Sequence, residues 1–277
     1  MSFGDRQAEQ LVDAVRQVAR EEVLPRFRSL SSGEVSTKSR EDDLVTIADV
    51  RSEERLTEMV GTIMPGAAVV GEEAVSEDPA ILKRIDDADL SVILDPVDGT
   101  WNFAKGLGVF GMIVAVAAKG ETIWGMLYDP LGDDWVVAER GAGTRHVFGS
   151  RGERRLALSR EKNRADTING YVASNLFQGE DRRRVMERIS GFRRVDNYRC
   201  SAQEYRLMAR GEGDFILTPM INPWDHAAGC LAIEEAGGVA RFLDGRDYNP
   251  TRREGRLLVA ASQTVWAETS RELADLW

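Results

Sequence analysis

An apolar run, Leu90-Ser91-Val92-Ile93-Leu94, leads directly into Asp95-Pro96-Val97-Asp98-Gly99-Thr100. The run predicts a buried strand over 90–95 with two acids held at its carboxyl end, where open α/β sheets place ligands. Pro96 fixes the backbone between the acids and removes a donor. Gly99 permits a tight turn or a close backbone approach. A helix starting at Gly99–Thr100 would point free N–H groups at the same place and favour an anion. Acids for a cation beside amides for an anion describe a metal–phosphate site. A capped turn competes with this reading, because Asp-Pro and Asp-Gly are common loop dipeptides.

Two further segments tilt the balance. Val69-Val70-Gly71-Glu72-Glu73 is another short apolar run ending in glycine and paired acids. In Pro223-Trp224-Asp225-His226-Ala227-Ala228-Gly229 an acid sits in the first turn of an apolar helix. Taken singly, Glu72-Glu73 reads as a solvated helix start and Asp225 as an acid stabilised by the helix dipole. Together Glu72, Asp95, Asp98 and Asp225 stand at element ends. They form a plausible oxygen shell for Mg²⁺, which is usually held by few carboxylates plus water and substrate phosphate.

The chain has 277 residues, 43% of them hydrophobic, enough for one large domain or two intimate halves. With 36 Lys and Arg against 46 Asp and Glu, its net charge of −10 argues against a nucleic-acid or membrane-surface binder. The basic run Arg182-Arg183-Arg184 reads as a solvated helix face. Cys200 and Cys230 have no metal spacing and read as reduced residues of a cytoplasmic protein. With only His146 and His226, a zinc site is not expected. The N-terminus shows no signal peptide, and no apolar run reaches the ~18 residues of a membrane span.

Leu11, Ala14, Val15, Val18, Ala19 and Val23 fall on one face of a helix over 6–24. A second helix is predicted over 50–63, strands over 67–71 and 90–95, a hairpin over 113–118 and 122–128, and a strand over 135–138. This pattern implies an antiparallel sheet. The Gly-, Ser- and Arg-rich stretch at 148–165 suggests a soft boundary, dividing the chain into 1–150 and 151–277. The second half alternates: strand 168–173, helix 180–189, strand 193–196, helix 201–210, strand 214–218, helix 224–236, strands 238–242 and 257–260, helix 263–274. That is α/β in character, beside an α+β first half.

The order G-E-E, then D-P-x-D-G-T-x-N-F, then W-D-x-A-A-G resembles the inositol monophosphatase family, Mg²⁺-dependent and typically lithium-sensitive phosphomonoesterases. Asp43-Leu44-Val45-Thr46-Ile47-Ala48-Asp49, with Lys38 before it, is similar to the family's D-x-V-T-x-x-D. The related fructose bisphosphatases and bisphosphate nucleotidases share the metal motifs. The resemblance implies a layered αβαβα sandwich with the site between its halves, two or three Mg²⁺ ions, a small-molecule phosphomonoester substrate and a homodimer. By motif position, Glu72, Asp95 and the Val97 carbonyl would hold one metal, and Asp95, Asp98 and Asp225 a second. Gly99 and Thr100 amides would hold phosphate. Thr100, paired with Asp49, would orient the attacking water, and Glu73 would support the shell. Without the family, Asp49 reads as an N-cap for the helix at 50–63, and Lys38 as an exposed loop lysine rather than a phosphate ligand.

Two recognition positions depart from the family. Inositol-active relatives carry an acid where this chain has Thr218, and Gly-Ser/Thr-Ala where it has Arg199-Cys200-Ser201-Ala202. A guanidinium at Arg199 offers a fork for a carboxylate or second phosphate, or else it points to solvent or pairs with Asp196 or Glu204. Trp101 forms a pocket wall or packs on Phe103, and His226 serves helix packing. An inositol-phosphate-like polyol phosphate is the first expectation for substrate. Histidinol phosphate, sugar bisphosphate and nucleotide 3′-phosphate follow. A catalytically weak metal-binding regulatory protein is the reading from another class.

Overall fold

The computed structural model describes residues 3–159 and 161–274. Along the chain lie α1 (Asp5–Val18), β1 (Val35–Thr37), β2 (Leu44–Thr46), α2 (Ile47–Ile63), β3 (Ala68–Gly71), α3 (Glu72–Glu77), α4 (Lys83–Asp87), β4 (Leu90–Asp98), α5 (Thr100–Ala104), β5 (Gly111–Ala118), β6 (Glu121–Asp129), β7 (Asp134–Glu139), β8 (Gly143–Val147) and β9 (Glu153–Leu156). The second part runs β10 (Asn169–Val172), α6 (Gly179–Ile189), β11 (Arg194–Asp196), α7 (Ser201–Ala209), β12 (Phe215–Thr218), α8 (Pro223–Glu235), β13 (Val239–Phe242), β14 (Leu257–Ala260) and α9 (Gln263–Glu272).

Strands β3 to β9 form a seven-stranded sheet in sequence order, antiparallel except for the parallel β3–β4 pair. The second sheet has the order β11-β10-β12-β14-β13, with β11, β10 and β12 parallel and β14 antiparallel to both neighbours. Side-chain alternation along each strand separates three cores. Val92 and Leu94 face α1 and α2, burying Leu11, Val15, Val18, Leu56 and Val60. Ile93 faces the other way, into a core shared with α7, α8 and the inner face of the second sheet through Ile216, Leu257 and Val259. Phe215, Leu217, Leu258 and Ala260 point outward to Val185 of α6 and Val265 of α9. The result is five layers, helix–sheet–helix–sheet–helix.

Helix α8 is the middle of this stack, and ten of its thirteen residues are buried. A helix covered on all sides must be largely apolar, as α8 is between its polar ends, Asp225-His226 and Glu234-Glu235. Gly229 lies against the Tyr205 ring, and Gly125 of β6 lies against Ala228. A β-carbon at either glycine would push α8 off its neighbour.

Three local readings are corrected. The first helix ends as a π-turn over Ala19–Val23 and a 3₁₀ turn over Leu24–Arg26, which keep Ala19 and Val23 buried. Helix α2 begins at Ile47, so Thr46 is its N-cap and Asp49 lies inside its first turn. Strand β4 continues past Asp95 to Asp98 through an irregularity in its pairing with β5.

Candidate active site

That irregularity brings the two acids together. Asp95 pairs with Ile113 and Asp98 with Gly111, so β4 carries one residue more than β5 over this stretch. In a regular strand, residues three apart point to opposite faces. The extra residue resets the alternation, and Pro96 donates nothing that the ladder would lose. Gly99 then turns the chain with φ 83° into α5. A β-carbon there would meet the Val109 carbonyl at 3.0 Å and Cys200 Cβ at 3.1 Å.

Asp225 arrives from the first turn of α8, its Oδ2 accepting from Asn222 Nδ2 at 3.1 Å. Carboxylate oxygens of Asp95, Asp98 and Asp225 lie within 4.8 Å of one another. Asp98 Oδ2 also accepts from the Ala202 N–H at 2.5 Å and the Cys200 thiol at 3.2 Å, which ties β4 to the start of α7. Burial, added to the charges of the neighbouring acids, holds Asp95 and Asp225 well above the usual carboxylate range. Burial lifts Asp98 to about 6. Asp95 Oδ1 is buried and has no hydrogen-bond partner among the described residues. Like charges packed this closely do not stay ionised together without a cation, and an orphaned buried oxygen awaits a ligand. The donor set, all hard oxygen, fits Mg²⁺.

Asp49 lines up the other half of the site. Its Oδ2 accepts from the Thr46 N–H at 2.9 Å and the Thr46 hydroxyl at 2.5 Å, closing a capping box. Its Oδ1 faces Thr100 Oγ1 at 3.0 Å, and Thr100 Oγ1 is also 2.9 Å from the Val97 carbonyl. The hydroxyl has one proton. Donated to Asp49, it leaves the Val97 oxygen open to a cation. Asp49 is fully buried, and burial raises its carboxyl to about 6.

Lys38 is no exposed loop lysine. Its Nζ lies 2.8 Å from Glu72 Oε1 and 2.7 Å from Glu73 Oε1, with its side chain 12% exposed. Burial works against its charge, but the two carboxylates outweigh it and hold the ammonium above its ordinary value. Glu73, half-buried beside Glu72, rises to about 8.

A cavity runs from Glu72, Asp98, Thr100 and Asp225 toward a wall that includes Trp101, Arg199, Ser201, Glu204 and Thr218. Arg199 lies at its edge. It pairs with neither Asp196 nor Glu204: Nη2 donates to the Asp42 carbonyl at 3.1 Å and Asp42 Oδ2 at 3.2 Å, and the guanidinium sits 4.6 Å from the Trp101 ring centre. Trp101 is thus a wall, shared with Arg199. The Thr218 hydroxyl turns back to the Met220 N–H at 3.2 Å. His226 is buried, between the Tyr205 hydroxyl at 3.1 Å and the Met220 carbonyl at 2.8 Å.

Two residues of the site escaped the sequence reading. Glu53 accepts from the Glu73 and Ala74 N–H groups, each at 2.8 Å, and so caps α3, which presents Glu72. Its signal was spacing: Asp49, Glu53, Leu56 and Val60 share one face of α2 and are all buried, so an acid at i+4 from Asp49 is an acid facing inward. The other is Glu204, a buried acid one turn into α7.

Fold and acids together describe a layered α/β sandwich whose carboxylate cluster has the chemistry to hold a cation. A profile of the inositol monophosphatase family matches residues 5–276. The inositol-1-monophosphatase of Mesorhizobium japonicum is 29% identical over 225 residues, 79% of each chain. A fructose-1,6-bisphosphatase/inositol-1-monophosphatase of Thermotoga maritima is 28% identical over 215 residues, 78% of this chain and 77% of that one. A solved IMPase/NADP phosphatase complexed with Mg²⁺ and phosphate superposes with a TM-score of 0.79 at 19% identity, covering 97% of this chain and 95% of that one. The chain belongs to the inositol monophosphatase family and is a phosphoric monoester hydrolase. None of the helices among the described residues is long and apolar enough to cross a membrane.

Proposed function

We propose that this chain hydrolyses a small polyol or sugar phosphate, inositol-1-phosphate-like, with Mg²⁺ bound by Glu72, Asp95, Asp98, Asp225 and the Val97 carbonyl. One observation carries the reading: three carboxylates, those of Asp95 and Asp98 buried and that of Asp225 half-buried, converge within 4.8 Å beside a Thr–Asp pair. Mg²⁺, when bound, neutralises phosphoryl charge and lowers the pKa of its water. The protein's own groups do the rest. Thr100 donates to Asp49, so its remaining lone pair faces outward to accept from and orient a water. Asp49, raised to about 6 and held on its far side by Thr46, is matched to receive a proton at neutral pH. Gly99 and the first turn of α5 offer N–H groups to the phosphate, and Asp98 is held in place by α7.

A second reading places an extra anionic group on the substrate, taken by Arg199. The guanidinium already holds a carboxylate, that of Asp42, and a substrate anion would compete for the same fork. The Thermotoga relative named for a bisphosphate as well as an inositol phosphate supports this second class. A cytoplasmic homodimer with two or three ions per site completes the proposal, and sedimentation and metal analysis check it. The deciding experiment is phosphate release from p-nitrophenyl phosphate, inositol 1-phosphate, glycerol 2-phosphate, histidinol phosphate, fructose 1,6-bisphosphate and a nucleoside 3′-phosphate. Release is expected only with Mg²⁺, reduced by Li⁺. No Mg²⁺-dependent release from any of them sinks the proposal. Arg199→Ala is expected to weaken the doubly anionic substrates selectively, and a uniform effect removes the recognition role.

A further inference from the structure

We infer that Glu204 is a specificity-determining residue that reads a hydroxyl group on the leaving-group side of the substrate. The inference rests on the phosphatase reading above and names a residue that reading does not use.

Glu204 is 8% exposed, and no cation pairs with it among the described residues. A buried acid without a cation is costly unless it is neutral and hydrogen-bonded. One half of the carboxyl is accounted for: Oε1 accepts from the Tyr198 N–H at 2.8 Å. Oε2 has no hydrogen bond among the described residues, yet it is not among the sealed, partnerless atoms. Glu204 lines the cavity that also contains Asp98, Thr100 and Asp225, and Oε2 is its uncommitted oxygen.

Most other polar groups of this wall are committed elsewhere, the Ser201 hydroxyl excepted. The Thr218 hydroxyl serves the Met220 N–H. The Asn197 amide binds Asn175 Oδ1 through Nδ2 and the Arg199 N–H through Oδ1. His226 is held at both ring nitrogens. Arg199, held on Asp42 and Trp101, is assigned above to an anion rather than to a hydroxyl. Burial lifts Glu204 to about 8, which favours the protonated carboxyl at neutral pH. With an N–H on Oε1, its proton belongs on Oε2. That oxygen then both donates and accepts, as a hydroxyl group requires. A leaving group lacking a hydroxyl would bury Oε2 unpaired, and sites built around a polar contact discriminate strongly against analogues that lack it.

The test uses the Mg²⁺-loaded enzyme and the ratio of kcat/KM for glycerol 2-phosphate and inositol 1-phosphate to that for p-nitrophenyl phosphate. Glu204→Val and Glu204→Met remove both hydrogen-bonding functions. Each is expected to lower the ratio by about tenfold or more. Glu204→Gln keeps an acceptor for Tyr198 and a donor toward the cavity, and is expected to hold the ratio within about threefold. If Val fails to fold, Met decides. A ratio unchanged in the folded Val or Met variant overturns the assignment, as does an equal loss in Gln. Either result leaves the function above standing, because the wild type remains active. A wild type inactive on all three substrates overturns both.

Discussion

Asp95 stands between the two groups of proposed ligands, with Glu72 first among the charges that act on it and Asp98 and Asp225 next. Asp95→Asn keeps the shape and removes the charge that two cations would share. Turnover at saturating Mg²⁺ is expected to fall below about a tenth of wild type, measured by phosphate release. Thr100 separates binding from chemistry more sharply. Its hydroxyl touches Asp49 and the Val97 carbonyl, and orienting a water matters mainly in the transition state. Thr100→Ala is therefore expected to lower kcat by roughly 10²-fold with little change in KM. A raised KM at unchanged kcat would assign the residue to binding alone. Residue chemistry was the most legible part of this chain, since Glu72, Asp95, Asp98 and Asp225 were all visible as acids at element ends. The roles of Lys38 and Arg199 were not. Each takes its partners from segments remote in sequence, Glu72 and Glu73 for one, Asp42 and Trp101 for the other, and no spacing rule reaches that far.

At the scale of elements, the start of α3 depends on a contact between two segments. Gly71 leaves room for the Glu53 carboxylate to reach the Glu73 and Ala74 N–H groups, and a β-carbon there would overlap it. Gly71→Ala is expected to expel Glu53 from the helix end, cost about 1–3 kcal/mol of stability and raise the Mg²⁺ concentration for half-activation. Urea unfolding and a metal titration check both, and wild-type values in the two would dismiss the cap. The hydrophobic periodicity of α1, α2, the β5–β6 hairpin and most of the second half placed these elements in the sequence, because their apolar faces repeat at 3.6 or 2. The short hairpin of β1 and β2 was invisible: its residues are half-exposed or polar, apart from buried Thr46. The continuation of β4 to Asp98 was hidden for a different reason. A bulge breaks the period of two, and Pro96 reads as a stop.

For the whole molecule, the buried acids set a pH dependence. Asp49 and Asp98 are raised to about 6, and Glu73 and Glu204 to about 8. In each case the folded state keeps a proton that the unfolded chain has already lost at about pH 4. The unfolded state thus binds fewer protons, and stability falls as pH rises from about 4 through 8. In EDTA, Tm is expected to drop by roughly 5 °C or more between pH 5 and pH 8. Mg²⁺ should restore it more at pH 8 than at pH 5, because protonated carboxyls do not bind metal. A flat Tm profile in EDTA would mean that the acids are not strained by burial.

The position of α8 gives this dependence a further meaning. Asp98 belongs to the first sheet, whereas Asp225 rides on the helix wedged between both sheets. A single cation gripping the two would cross-link points far apart along the chain, closing a large loop as a disulfide does. The two cysteines make no such bond. The proposed metal site would then also be a rivet between the first sheet and α8, and extracting the ion would loosen that packing as well as silence the chemistry.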